Sequence, residues 1–236
     1  MEHNPKQNCS ECKKFSAIVK INYMKKSLCR NCFSKFFEGK VSKTIRTENL
    51  LKKDDKLAIL VSGNVSSMVL LKVLHKLSKR APKSKLTAIL ISEKNNNSEN
   101  ISKKFCKELN VEFEQSEQNF YEILSKEKFD KIALPYNLDD QVKNAMLKFI
   151  DGDYEGIVKI NENQKIIMPL KNCLYDEILT YAKINKIPFD EEKEKLKSDD
   201  AVEKILDKIQ KKNPGVKFQI LRSIESLRNV FRKNLK

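Results

Sequence analysis

Four of the six cysteines of this 236-residue chain stand as two Cys-x-x-Cys pairs, Cys9-Ser10-Glu11-Cys12 and Cys29-Arg30-Asn31-Cys32, with 16 residues between them. A two-residue gap lets both sulfurs of a pair point at one metal, and two such pairs complete a tetrahedron with no open position. The spacing predicts a structural zinc site on Cys9, Cys12, Cys29 and Cys32. Disulfides are the competing reading; they do not suit a chain expected to be cytoplasmic, and no thioredoxin-like context surrounds either pair. No helical or strand period of useful length runs through the segment up to Phe33, so its order must come from the cysteines. Ala17–Ile21 and Tyr23–Leu28 can form a small hairpin over the metal. Such a ribbon is too small to bury its own core, so ligation would supply most of its folding energy, on the order of 10 kcal/mol.

Beyond the ribbon, Phe33, Phe36, Phe37 and Val41 lie on one side of a short amphipathic helix over Phe33–Ile45, and polar Thr47–Asp55 reads as a linker. From Lys56 the pattern alternates. Leu57–Val61 is a continuous apolar run, as a buried parallel strand should be, and Ser66–Leu77 carries apolar residues at helical spacing. Leu86–Ile91 (strand), Ile101–Leu109 (helix), Val111–Phe113, Phe120–Leu124, Lys131–Pro135 and Val142–Ile150 continue the alternation. Ile157–Ile160 and Ile166–Met168 read as a peripheral strand pair, and helices follow over Tyr175–Ile184, Asp200–Gln210 and Phe218–Leu235. Short links between alternating strands and helices predict an α/β fold with a parallel sheet. The expected domains are 1–46, ribbon plus short helix, and 56–236, the α/β domain with its C-terminal helices. Apolar residues at 40% suffice for a core and exclude wholesale disorder. No apolar run nears the roughly 20 residues of a membrane span, and Met1–Lys6 lacks the apolar stretch of a signal peptide, so no membrane partner is expected.

Leu57 to Leu71 reads as a strand, a turn containing Gly63 and serines, and a helix. Backbone N–H groups at such a helix N-terminus make an anion site, although an ordinary strand-to-helix turn with a serine cap reads the same way. The arrangement resembles the PP-loop ATP pyrophosphatases, whose loop reads Ser-Gly-Gly-x-Asp-Ser. Ser62, Gly63 and Ser67 fit that pattern, while Asn64 replaces the second Gly and Ser66 replaces Asp. Asn64 brings a side chain to a spot where backbone should approach phosphate, and Ser66 removes a carboxylate that could help hold Mg²⁺. The expectation is a vestigial phosphate loop with weak ATP binding at most and no turnover.

Further segments extend the resemblance: Leu134-Pro135-Tyr136-Asn137-Leu138-Asp139-Asp140 followed by Gly152-Asp153, then Met168-Pro169-Leu170, then Asn213 to Phe218. With the ribbon, this layout is similar to that of the 2-thiouridine-forming tRNA thiolases. Leu28-Cys29-Arg30-Asn31-Cys32-Phe33 and Ser66-Ser67-Met68-Val69 resemble the second-subunit family, cytoplasmic tRNA 2-thiolation protein 2. That resemblance implies a Rossmann-like PP-loop domain behind a zinc ribbon. It also implies a non-catalytic, tRNA-binding role beside a catalytic thiolase subunit of the PP-loop superfamily, with contact to a ubiquitin-like sulfur carrier through that subunit. Two other readings are an active PP-loop ATP-dependent tRNA sulfurtransferase and a zinc-ribbon RNA-binding protein without a modification role. In the active subunits one catalytic cysteine lies upstream of the Asn-x-Asp-Asp helix and another after the helix matching Tyr175–Ile184. Neither Val111–Asp130 nor the chain from Phe189 onward contains a cysteine. Cys106, beside Phe105, reads as a small buried hydrophobe. Cys173, just before a helix, stands where a thiolate could be stabilised, but it has no resolving partner. His75, with lysines nearby, reads as a surface residue.

The formal charge of +15 is unevenly divided. Residues 1–53 hold 13 basic against 4 acidic groups (+9), residues 201–236 hold 10 against 3 (+7), and the middle is close to neutral at −1. Four thiolates on one Zn²⁺ would lower the first end to about +7. Two basic ends flanking a neutral body suggest a polyanion footprint, with tRNA as the partner. The residues expected to contact RNA are Lys25, Lys26 and Arg30 in the ribbon, and Arg222, Arg228 and Arg232 on the last helix. There Ile220, Ile224, Leu227 and Phe231 should pack on the body and leave the arginines free for phosphate.

Overall fold

The structure, a computed structural model, describes residues 7–79, 85–91, 96–117, 120–125, 128–159, 163–195 and 201–234. It begins with the ribbon hairpin: β1 (Val19–Ile21), a single 3₁₀ turn, and β2 (Lys26–Leu28), paired antiparallel. Lys25 sits in the left-handed region at φ 51° where the hairpin reverses. Helix α1 (Arg30–Thr47) starts inside the second cysteine pair. Phe33, Phe37 and Val41 line its buried face, so one amphipathic helix carries the metal-ligand end and docks on the body.

The body alternates as expected. Its elements are β3 (Lys56–Val61), α2 (Val65–Ser78), β4 (Lys85–Ile91), α3 (Asn96–Leu109), β5 (Glu112–Ser116), α4 (Phe120–Ser125), β6 (Lys131–Ala133) and α5 (Leu138–Ile150). They are followed by α6 (Tyr154–Lys159), β7 (Ile166–Ile167), α7 (Tyr175–Asn185), α8 (Glu191–Lys195), α9 (Ala201–Lys212) and α10 (Val216–Asn234). The sheet runs β5-β4-β3-β6-β7 with every neighbouring pair parallel. Apolar Leu57, Ala58, Ile59 and Val61 make β3 a central strand buried on both faces. Helix α2 is buried through most of its circumference because it lies between the sheet and α7. The chain leaves β3 toward β4 on one side and later returns to β6 on the other. This reversal puts the crevice between the carboxyl ends of β3 and β6, where open parallel sheets bind ligands.

Two expectations need correction. Ile157 belongs to α6 rather than to a strand, and Ile160 lies outside the described residues. Asp153 Oδ1 accepts the Gly156 N–H at 2.8 Å, starting a helical turn that buries Ile157 against Ala145 and Ile224. Without that strand, β7 joins the main sheet alone, parallel to β6. On α10, Ile224 is buried and Ile220 packs against the core, but Leu227 and Phe231 are 52% and 46% exposed. The apolar face therefore seats only its first half.

The ribbon and body share one continuous core, with Cys9, Ile21, Leu28 and Phe33 in the same cluster as β3, α2 and α7. Phe37 stacks on Tyr181 at 4.5 Å between ring centroids. A polar knot crosses the same junction. Glu177 accepts Tyr23 Oη–H at 2.6 Å and Lys40 Nζ–H at 2.7 Å, while Lys40 also donates to Tyr23 at 2.8 Å. Lys40 lies 4.8 Å from the Phe218 ring, so α1, α7, α10 and the hairpin meet on one ammonium group. Losing either charge of this buried pair would strand the other, at a cost of about 3–5 kcal/mol.

Candidate functional site

The four ribbon sulfurs all lie within 4.8 Å of one another, and Cys12 Sγ and Cys29 Sγ are 3.8 Å apart. Cys9 Sγ is fixed by its backbone. The Cys9 N–H donates to Phe15 O and the Cys9 carbonyl accepts Lys13 N–H, with Lys13 in the left-handed region that folds the pair into a knuckle. Burial opposes the Cys9 thiolate. The amides of Cys12, Cys29 and Glu11 and the Cys12 side chain outweigh it and bring the thiol down to about 6. Cys12 is lowered too, chiefly by the Lys14 amide. Burial and the neighbouring sulfurs push Cys32 up to about 12. Four thiols this close cannot all ionise without a cation among them. The chain therefore holds a four-cysteine metal site at its N-terminal end.

The loop between β3 and α2 stands at the sheet crevice. Gly63 adopts φ +77°, which an L side chain rarely adopts, and a Cβ there would lie 2.7 Å from Ser98 Cβ. Asn64 is extended at φ −71° and turns its side chain back to accept Ser67 N–H at 2.8 Å. Gly63 holds a backbone angle that favours glycine, whereas Asn64 has an ordinary extended backbone and caps α2 with its side chain. Ser67 Oγ donates to Asn64 O and accepts Ser62 N–H. Ser66 is buried, with its Oγ 3.4 Å from Asn137 Nδ2. That contact joins the loop to the segment after β6.

The Asn137–Asp140 signature works as a fastener. Asn137 and Asp140 form a capping box at the start of α5. Asp139 accepts Tyr175 N–H at 2.7 Å and Lys217 Nζ–H at 2.6 Å, tying α7 and α10 to α5. Burial disfavours the Lys217 ammonium, but Asp139 and Asp207 more than offset it and raise its pKa. Beside this knot a cleft of about 460 Å³ opens between the ribbon hairpin and α5, α7, α9 and α10, with Asn137, Asp139, Tyr175 and Asp176 among its lining. Burial, with Asp139 and Asp207 nearby, raises the Asp176 pKa.

Sequence reasoning missed the residues that meet the loop from the C-terminal side. Asp190 N–H donates to Gly63 O at 2.9 Å, Lys193 Nζ to Ser62 O at 3.3 Å, and Val65 N–H to Glu194 Oε1 at 2.8 Å. These partners are more than a hundred residues from the loop, and no local motif marks them.

Other expected site residues fall differently. Cys106 is buried, as read, and burial pushes its thiol up to about 11. Cys173 is fully buried and pushed up to about 12, so the helix start beside it does not yield a thiolate. His75 is partly exposed, and burial together with Lys79 and Lys72 lowers its pKa. Lys25 and Arg222 are exposed. Lys26 pairs with Glu11 at 3.1 Å. Arg30 donates to Ile184 O, and Arg228 Nε donates to Ile157 O, both at 2.9 Å. Arg228 is therefore not free, contrary to expectation, because α6 presents its backbone to it. Arg232 lies in α10, but its side chain is outside the described residues.

No family model matches the sequence. The chain is 27% identical over 253 residues to a "Probable sulfurtransferase" of Methanocaldococcus jannaschii, covering 87% of this chain and 74% of that protein. It is 26% identical over 269 residues to the tRNA-5-methyluridine(54) 2-sulfurtransferase of Pyrococcus horikoshii, covering 97% and 85%. Among solved structures, the U34-tRNA thiolase NcsA of Methanococcus maripaludis, with its [4Fe-4S] cluster, matches at TM-score 0.79 and 25% identity over 96% of this chain and 89% of that one. These matches overturn the expectation of a non-catalytic, non-enzyme subunit, since two proteins similar along most of the chain are sulfurtransferases and the matching structure is a thiolase. The loop geometry bears on one part of that expectation: Asn64 leaves the turn intact, while Ser66 still lacks the carboxylate.

That thiolase holds a [4Fe-4S] cluster, and among the described residues here Cys9, Cys12, Cys29 and Cys32 form a group that could hold a metal. The remaining two of the chain's six cysteines are buried, Cys106 in α3 and Cys173 in the turn before α7. The chain has the PP-loop α/β fold behind a four-cysteine metal site, and its relatives are PP-loop proteins of tRNA thiolation.

Proposed function

We propose that the chain is an ATP-dependent tRNA sulfurtransferase of the PP-loop type. The observation that carries this reading is the match to a tRNA thiolase along 96% of the chain. The intact turn at Gly63 supports it. ATP would sit with its phosphates on the Ser62–Ser67 turn, where backbone N–H groups and the dipole of α2 favour anions. The uridine carbonyl oxygen would attack the α-phosphorus, pyrophosphate would leave, and sulfur would then displace AMP with that oxygen. Positioning supplies most of what such a loop contributes. Buried Cys106 and Cys173 hold their protons at neutral pH, which favours a sulfur donor from outside the chain. Short motifs at Leu28–Phe33 and Ser66–Val69 still resemble the second-subunit family, but the relatives spanning most of the chain are enzymes.

For the ribbon metal we propose zinc in a structural role. Support comes from sulfur spacing: metal–sulfur bonds of about 2.3 Å in a tetrahedron put sulfurs about 3.8 Å apart, the distance between Cys12 and Cys29. The test of function is direct. Purified chain given ATP, Mg²⁺, tRNA and a sulfide donor should release pyrophosphate only when tRNA is present and should leave thiolated uridine detectable by mass spectrometry. Absence of both products with every tRNA tried would overturn the reading.

A further inference from the structure

Three contacts bind the segment Asp190–Glu194 across the phosphate loop. Asp190 N–H holds the Gly63 carbonyl, Lys193 Nζ reaches the Ser62 carbonyl, and the Glu194 carboxylate receives the Val65 N–H at the start of α2. The strap is anchored at both ends. Asp190 is buried; its Oδ2 accepts Ser98 Oγ–H at 2.9 Å, and its Oδ1 accepts the amides of Glu192 and Lys193. At the other end the second Glu194 oxygen accepts Tyr175 Oη–H at 2.5 Å, and Tyr175 belongs to α7, which Asp139 holds by its first amide. A carboxylate thus occupies the positive end of a 14-residue helix, where an anion gains most from backbone N–H groups and the helix dipole.

We propose that Asp190–Glu194 is an autoinhibitory strap, in which Glu194 stands in for a nucleotide phosphate and must leave before ATP can seat on the loop. This rests on the proposed use of the loop for ATP. Two consequences follow from charge. Glu194 and a phosphate compete for the same Val65 N–H, and a carboxylate left in place would repel the incoming polyphosphate. Apparent affinity is then the intrinsic affinity reduced by the fraction of open strap. The remaining contacts, Asp190 to Gly63 and Lys193 to Ser62, lie on carbonyls rather than on phosphate-binding N–H groups, so the strap can release at Glu194 while Asp190 stays anchored.

Titration calorimetry with ATP and Mg²⁺ on the full chain, without tRNA, tests this. Glu194→Gln should bind ATP about tenfold more tightly than the parent chain, through a larger open fraction. Tyr175→Phe, which removes only the hydroxyl holding the second carboxylate oxygen, should move affinity the same way by a smaller factor. Unchanged affinity in Glu194→Gln would make the strap purely structural and overturn the proposal. A fall in affinity would do the same, by making Glu194 a ligand of the bound nucleotide or its Mg²⁺. No ATP binding by either chain would also overturn it. Tight ATP binding with the expected gain, but no sulfur transfer to tRNA, would instead sink the proposed function and leave the strap standing.

Discussion

Gly63 carries a constraint that no other residue in the loop shares. Its φ of +77° excludes ordinary side chains, and an added Cβ would meet Ser98 Cβ at 2.7 Å and Ser98 Cα at 2.9 Å. Ser98 cannot swing away without losing its hydrogen bond to buried Asp190. Gly63→Ala should therefore destabilise the chain by roughly 1–3 kcal/mol from the backbone alone, with more from the clash, read as a fall in the urea midpoint. ATP binding should be lost with it. A variant as stable as the parent would mean the loop can turn another way. The glycine could be singled out in the sequence because its type and place after an apolar strand restrict what can stand there. The capping role of Asn64 was not legible in the same way, since only backbone angles reveal that this position is extended and acts as a cap. For Cys173 the sequence showed the missing resolving partner but not the burial. Proximity to a helix start is visible in sequence, but complete burial is a property of packing. Glu194 was invisible because its partner, Val65, lies 129 residues away and glutamate in a charged run carries no local signal.

Among the elements, those with a single strong period were legible. β3 and α2 declared themselves by a buried apolar run and an apolar face at helical spacing, and the hairpin by its place between cysteine pairs. α6 was not, because Tyr154–Lys159 is too short to display a helical period and owes its first turn to Asp153. Helix α1 extends further than expected, from Arg30, because its first turn completes the second cysteine knuckle. The metal therefore bears on two elements together. Elemental analysis of the purified chain should find a single zinc per chain and no iron or inorganic sulfide. Cys29→Ser should lose that zinc and expose the hairpin and first turns of α1 to protease. The damage should pass into the junction, because Ile21, Leu28 and Phe33 belong to the same core as α2 and α7. Iron with matching sulfide would replace the zinc assignment with a cluster and contradict the sulfur spacing.

At the scale of the molecule, the two basic ends are brought together by packing rather than left as separate tails. Tyr23 in the hairpin packs against Phe218 of α10 with ring centroids 4.7 Å apart and the rings tilted, and Lys40 Nζ lies near both. A +9 segment and a +7 segment that touch through these residues can act on one polyanion at once. If that polyanion is tRNA, affinity should fall steeply with salt, with a log–log slope of roughly −0.7 to −0.9 for each phosphate neutralised. The individual arginines divide by what they already hold. Lys25→Glu and Arg222→Glu, at exposed positions, should weaken tRNA binding and flatten the slope while leaving thermal stability nearly unchanged. Arg228→Ala should behave differently. Its Nε–H serves the Ile157 carbonyl, so its loss loosens α6 from α10 and should lower the melting temperature. Measuring binding across a salt series for all three variants, beside their melting curves, separates the two kinds of basic residue. Unchanged RNA affinity for both exposed variants would move the RNA contact away from these ends. A stability loss at Lys25 or Arg222 as large as that at Arg228 would make the charge segregation a matter of folding.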